Sequence, residues 1–165
     1  MKDINDINFW KHRLETSIDI HRSVFNCTLE QWKQIEKNHL RVILNHIDVK
    51  NDHVLDVGCG YGRNYVSKIT NYTGIDLSPD FIQYATNMYP KKTFIQTTIV
   101  NHVPNKKYDW AICSSIKRMI QRENGLNNWT KNEEHLKNIC NNILILEYTE
   151  AFDDSYVATE IIKGY

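Results

Sequence analysis

Apolar residues along this chain switch between helical spacing and short continuous runs. Phe9, Trp10, Leu14, Ile18 and Ile20 recur at loosely helical spacing over residues 8–24, interleaved with Lys11, His12, Arg13, His21 and Arg22. Thr28-Leu29-Glu30-Gln31 reads as a capping box, Thr28 being the N-cap and Gln31 reaching back to it. Leu29, Trp32, Ile35, Leu40, Ile43, Leu44 and Ile47 then predict an amphipathic helix from Leu29 to Ile47. A short apolar run, His53 to Val57, is the first strand; it ends in Gly58, Gly60 and Gly62, with a helix expected from about Arg63.

The same alternation continues to the end. Tyr72 to Leu77 is a second strand, and Ser78-Pro79-Asp80 starts a helix with a serine cap, a proline at the first helical position and an acid in the first turn. Phe81, Ile82, Ala85 and Met88 form its inner face, and Pro90 ends it. Thr93 to Val100 and Tyr108 to Ser114 predict third and fourth strands, followed by a helix over Ile116 to Gln121. Thr130-Lys131-Asn132-Glu133 reads as a second capping box, opening a helix through Leu136 and Ile139. Ile143 to Tyr148 is a fifth strand, apolar throughout like one covered on both faces, and Tyr156 to Ile162 is a short sixth. Strands alternating with helices predict a doubly wound, mostly parallel α/β sheet of five to six strands with helices on both faces. The 165 residues fit one domain, with an N-terminal helical cap over 1–50 and an α/β core over 51–165.

Charge narrows the partners. Lysine plus arginine and aspartate plus glutamate both total 20, so bulk electrostatics recruits neither nucleic acid nor a membrane surface. Cys27, Cys59, Cys113 and Cys140 form no Cys-x-x-Cys pair, and reduced thiols in a cytoplasmic protein are expected. The first residues carry no apolar signal core, and no apolar run approaches membrane-spanning length.

The chemistry concentrates at the glycine turn. A parallel sheet binds ligands beyond the carboxyl ends of its strands, where strand order reverses. A dinucleotide fingerprint reads Gly-x-Gly-x-x-Gly, whereas this chain has Gly58, Gly60 and Gly62, with Arg63 in place of the third dinucleotide glycine. Asp56, two residues before the first glycine, would repel a pyrophosphate but suits a ligand whose nearby end is cationic. Asp76, at the end of the second strand, is placed to accept hydrogen bonds from ribose hydroxyls. A nucleoside with a positive, phosphate-free tail describes S-adenosylmethionine.

The segment from Val54 to Met88 resembles the cofactor-binding half of class I S-adenosylmethionine-dependent methyltransferases, which have a Rossmann-like sheet. The matching pieces are Leu55-Asp56-Val57-Gly58-Cys59-Gly60-Tyr61-Gly62 and Gly74-Ile75-Asp76-Leu77-Ser78. The resemblance implies that Gly58, Cys59 and Gly60 lie against the methionine and ribose of the cofactor. It implies that Asp56 orders the turn and faces the amino end, that Asp76 holds the ribose and that Leu77 lies against the adenine. The family usually places an acid after the third strand to bond the adenine amino group; here that position is Thr98, followed by Ile99. Ser114 and Ser115 fall where the family lines the methionine moiety and the substrate entrance. The family sheet is commonly larger, closed by an antiparallel hairpin after the fifth strand. Too little chain remains here for that hairpin, so the fifth strand is expected to be covered by the C-terminal tail or by a second subunit in a homo-oligomer.

Other residues carry paired readings. Arg13, Arg22 and Arg63 suit the cofactor carboxylate, or a solvated surface. Phe9 and Trp10 suit a lid, or simple packing. Glu147 and Tyr148, ending the fifth strand, are the candidate catalytic groups, or structural ones. His102 reads as solvated, and Lys117 and Arg118 suit orienting an anionic substrate, or surface exposure. The expected activity is methyl transfer to a small-molecule acceptor, releasing S-adenosylhomocysteine. Two alternatives stay open: an enzyme that cleaves or cyclises the cofactor itself, and a non-catalytic cofactor-binding subunit.

Overall fold

The computed structural model describes residues 7–16, 28–124, 126–148 and 157–163. The elements in chain order are α1 (Ile7–Thr16), α2 (Leu29–His46), β1 (His53–Val57), a 3-10 turn (Asn64–Ser67), β2 (Asn71–Asp76), α3 (Pro79–Met88), β3 (Thr93–Gln96), β4 (Tyr108–Ser114), α4 (Ile116–Asn124), α5 (Leu126–Ile139), β5 (Cys140–Tyr148) and β6 (Val157–Lys163).

The six strands form one sheet in the order β3-β2-β1-β4-β5-β6. Strands β1 to β5 pair in parallel, and β6 pairs antiparallel with β5. Strand order therefore reverses between β1 and β4, where Val57 stands level with Ile75 on one side and Cys113 on the other. Of the two covers expected for β5, the C-terminal strand supplies one: Glu147 is level with Ala158 and Tyr148 with Val157. Tyr156, the expected start of that strand, lies outside the described residues, as do Ile18, Ile20, His21, Arg22 and Cys27.

Both faces of the sheet at β5 are buried, which explains why Ile143 to Leu146 are apolar at every step. Ile143 and Ile145 join a cluster with Leu55, Val57, Ile75, Trp129, Leu136 and Ile139. Leu144 and Leu146 point the other way, into a cluster with Ile43, Ile47, Val54, Tyr65, Val66 and Ile69. Thus α5 covers one face, while α2 and the 3-10 turn cover the other.

Two helix starts form as their sequences dictate. On α2, Thr28 Oγ1 accepts from Gln31 N at 3.2 Å and Gln31 Oε1 accepts from Thr28 N at 2.8 Å, closing the capping box. On α3, Ser78 Oγ accepts from Phe81 N at 3.3 Å ahead of Pro79. The buried stripe of α2 is Trp32, Ile35, Glu36, His39 and Ile43, whereas Leu29 and Leu44 are exposed.

Three expectations change. No α-helix begins at Arg63: the crossover from Arg63 to Thr70 holds a 3-10 turn, and Tyr65, Val66 and Ile69 do the covering. Thr130 is not a cap, because α5 begins at Leu126 and runs through it. Glu133 Oε2 instead accepts from the indole Nε1 of buried Trp129 at 2.8 Å, one helical turn back. The third strand stops at Gln96, and Thr97 to Val100 turn away from the sheet. The Thr98 hydroxyl accepts from Asn101 N at 3.2 Å and stabilises that turn.

Candidate cofactor site

The turn after β1 folds back onto β2. Gly58 N and Cys59 N both donate to Ile75 O, at 2.8 and 3.0 Å, and Gly62 N donates to Cys59 O at 3.1 Å. Gly58 has φ +65°, and a Cβ built there would stand 2.2 Å from Ile116 Cδ1. The left-handed backbone therefore favours glycine at Gly58, and any Cβ there would also have to displace the Ile116 side chain. Cys59 is buried, its sulfur beside Gly74, and burial pushes its thiol pKa well up.

Asp76 locks the next step. Its Oδ2 accepts from Gly60 N at 2.9 Å and its Oδ1 from Ser78 N at 2.8 Å. Burial raises its pKa, and these backbone donors oppose the rise. The glycine turn, the end of β2 and the cap of α3 thus converge on one carboxylate. A carboxylate has about four lone-pair sites, so Asp76 can accept further hydrogen bonds beyond those from the backbone. Leu77 follows it, half-buried, with its carbonyl accepting from Gln96 Nε2 at 3.4 Å.

Asp56 lies beneath the turn rather than on it. It is 1% exposed, and its Oδ2 accepts from Tyr72 Oη at 2.7 Å and Tyr65 Oη at 3.1 Å. Burial raises its pKa to about 6, against the Tyr72 hydrogen bond and the Arg63 charge. Through these two hydroxyls Asp56 ties β1 to β2 and to the 3-10 turn.

On the same sheet face as Tyr65 and Tyr72, α2 meets the segment after the turn through a buried polar group. Arg63, 6% exposed, donates from Nη1 to His39 Nδ1 at 2.9 Å and stacks over Trp32 at 5.4 Å from the ring centroid. Ser114 Oγ is 3.5 Å from the same nitrogen. Burial, then Arg63, holds the His39 pKa well below its usual value. A guanidinium only donates, so neutral His39 accepts at Nδ1 and carries its proton on Nε2.

The structure therefore gathers Asp56, Gly58, Cys59, Gly60, Arg63, Asp76 and Ser114 around the ends of β1, β2 and β4. The other candidates have placements of their own. Ile99 is buried in the core cluster with Val57 and Ile75, and the Thr98 hydroxyl serves its own turn. Arg13 is half-buried on α1. Glu147 Oε1 accepts from Arg118 N at 3.0 Å in the first turn of α4, which anchors that helix start. The side chains of Phe9, Trp10 and Tyr148 lie outside the described residues. His102 is not solvated: it is buried, with Nε2 3.0 Å from Tyr108 Oη and its carbonyl 2.9 Å from His135 Nε2. Lys117 pairs with Glu160 of β6.

Sequence reasoning missed His39, Tyr65 and Tyr72, and the burial of Glu36 beside His39 on α2. Glu36 and His39 did leave a signal, as polar residues at positions where the α2 stripe is apolar.

Comparison with known proteins agrees with this construction. The family model for the methyltransferase domain matches residues 54–137. No curated protein matches the chain in sequence. Among solved structures, magnesium protoporphyrin IX methyltransferase from Synechocystis PCC 6803, with bound S-adenosylmethionine, superimposes with a TM-score of 0.61 at 15% identity, covering 88% of this chain and 74% of that one. A complex of DhpI with S-adenosylmethionine and HEP gives 0.66 at 12% identity, over 89% of this chain and 66% of the other. The plantazolicin methyltransferase BpumL gives 0.53 at 22% identity, over 89% and 55%. With the family model matching more than half its length, the chain belongs to the methyltransferase domain family and has the Rossmann-like class I fold.

Proposed function

We propose that this chain binds S-adenosylmethionine at the glycine turn and transfers its methyl group, by direct in-line displacement, to a small-molecule acceptor. The observation that carries the reading is the Asp76 carboxylate, bound to Gly60 N at 2.9 Å across the ends of adjacent strands. That contact makes a bare glycine backbone and a hydroxyl-binding acid one site. The neighbours named for magnesium protoporphyrin IX and plantazolicin support a small-molecule acceptor.

Bound S-adenosylmethionine supplies a methyl group on a sulfonium leaving group, with S-adenosylhomocysteine as the product. Asp76 would hold the ribose, with Leu77 and Thr98 on the adenine side toward β2 and β3. Gly58, Cys59 and Gly60 would lie along the ligand, while Arg63, Arg13 and Ser114 serve its amino-acid end. The catalytic contribution is chiefly placement of the nucleophile in line with the sulfur–methyl bond. An acceptor that arrives protonated needs a base. Glu147 and Tyr148, ending β5, are the groups we assign to that step.

The test is incubation with methyl-labelled S-adenosylmethionine, with and without panels of phenols, amines and carboxylates. Label in an acceptor, with stable cofactor in its absence, supports the proposal. Release of methylthioadenosine without an acceptor refutes methyl transfer in favour of cofactor cleavage.

A further inference from the structure

Strand β3 is joined to β4 by the irregular segment 97–107. Because β3 and β4 run in the same direction, this segment returns from the carboxyl end of the sheet to its amino end. At the carboxyl end Thr97 N donates to Asp76 O at 3.0 Å, and Asn101 N closes the turn on the Thr98 hydroxyl. Ile99 packs into the core against Val57 and Ile75. The segment therefore leans directly on the residue at the centre of the cradle.

His102 fastens the returning part. Its backbone N donates to Ile99 O at 3.2 Å. Its ring is buried, with Nε2 3.0 Å from Tyr108 Oη at the start of β4. Its carbonyl accepts from His135 Nε2 of α5 at 2.9 Å. One residue thus ties the irregular segment to both the sheet and α5. An apolar side chain would fill such a position, whereas imidazole brings a group that titrates near neutrality.

The surroundings oppose a charge on that ring. β4 presents the Tyr108 phenol and α5 presents His135. β1 stacks His53 on the Tyr108 ring at 4.7 Å between centroids, and β5 sets Cys140 level with Tyr108. Within the segment, the Lys107 charge acts on Cys140. Asp109, at the same end of the sheet, accepts from His53 N at 2.8 Å and from Asn141 Nδ2 at 3.4 Å. Burial, then His135, holds the His102 pKa below its usual value. The imidazole therefore takes a proton more readily once the segment has left the sheet, and acid favours the released form.

We propose that His102 is a pH-sensitive latch, whose protonation releases the segment 97–107 from the sheet and weakens ligand binding at the Thr98 side of the cradle. The effect on ligand rests on the proposed cofactor site; the release does not. His102→Gln tests it, because an amide oxygen can stand in for Nε2 but takes no proton. Calorimetry with S-adenosylhomocysteine at pH 7.5 and 5.5 should show wild type weakening relative to the variant, by up to about tenfold per pH unit below 6.5. A purely structural histidine would give wild type and variant parallel pH profiles, and that result overturns the latch. Hydrogen exchange on the ligand-free wild-type chain is a second measurement, independent of how well the variant folds. Protection of residues 97–107 should drop between pH 7.5 and 5.5 while β1, β4 and β5 keep theirs. Equal protection of the segment at both pH values overturns the latch. A selective drop in a chain that binds no S-adenosylhomocysteine supports the latch and overturns the cofactor reading alone.

Discussion

Gly60 donates its backbone N–H to the Asp76 carboxylate at 2.9 Å, joining the turn after β1 to the end of β2. One side chain therefore shapes the cradle and, on the proposed reading, would also hold the ribose. Asp76→Ala should weaken S-adenosylhomocysteine binding by about 10- to 100-fold, since hydrogen bonds to charged groups contribute about 1.5–3 kcal/mol. Calorimetry checks the affinity, and circular dichroism checks that the fold persists. Unchanged affinity in a folded variant would remove Asp76 from the site.

Gly58 is held against Ile116, with 2.2 Å available where a Cβ would go. Gly58→Ala should destabilise the fold by about 2–4 kcal/mol, combining left-handed strain with overpacking. Urea denaturation measures the loss. Adding Ile116→Ala should not restore wild-type stability, because the backbone strain at φ +65° remains.

Asp56 titrates at about 6 when folded, above its ordinary value of 3.8. Between those values the folded chain binds more protons than the unfolded one at this site. The Asp56 contribution to stability is therefore fullest below pH 3.8 and is lost as pH rises through 6, by about 3 kcal/mol at order of magnitude. His39 acts oppositely: its depressed pKa gives a contribution present above about pH 6.5 and lost on acidification. Comparing wild type with Asp56→Asn isolates the aspartate. Denaturation between pH 4 and pH 7 should show the stability of wild type relative to the variant falling as pH rises. A constant difference would contradict a buried, proton-binding Asp56.

β6 covers the long apolar strand β5 along its edge. Removing residues 149–165 should expose that edge and drive self-association, because an uncovered apolar strand templates further pairing. Light scattering would show large species for the truncated chain. A truncated chain that stays monodisperse at monomer mass would show that β6 is dispensable as cover.

Much of this organisation was legible in the sequence because it depends on local chemistry. The Thr28 capping box, the Ser78-Pro79 helix start and the glycines ending β1 each state their conformation in a few residues. Alternating strands and helices carried the sheet. Features set by distant partners were not legible. Thr130 has the local signature of a cap, but burial of Trp129 draws the helix past it. Asp56 looked like a ligand-facing acid, and only folding brings the hydroxyls of Tyr65 and Tyr72 onto it. His102 looked solvated because Tyr108 and His135 approach it through the fold. At the site, the residues on the glycine turn and β2 were readable, whereas the His39–Arg63 contact needed α2 packed across the sheet.

The central claim is that this cradle takes a phosphate-free nucleoside with a charged amino-acid tail. Titration of the purified chain with S-adenosylhomocysteine, and separately with NAD, tests it most directly. Saturable one-to-one binding of S-adenosylhomocysteine, with no binding of NAD, is the predicted result. Binding of NAD in preference, or no binding of S-adenosylhomocysteine at millimolar concentration, would contradict it.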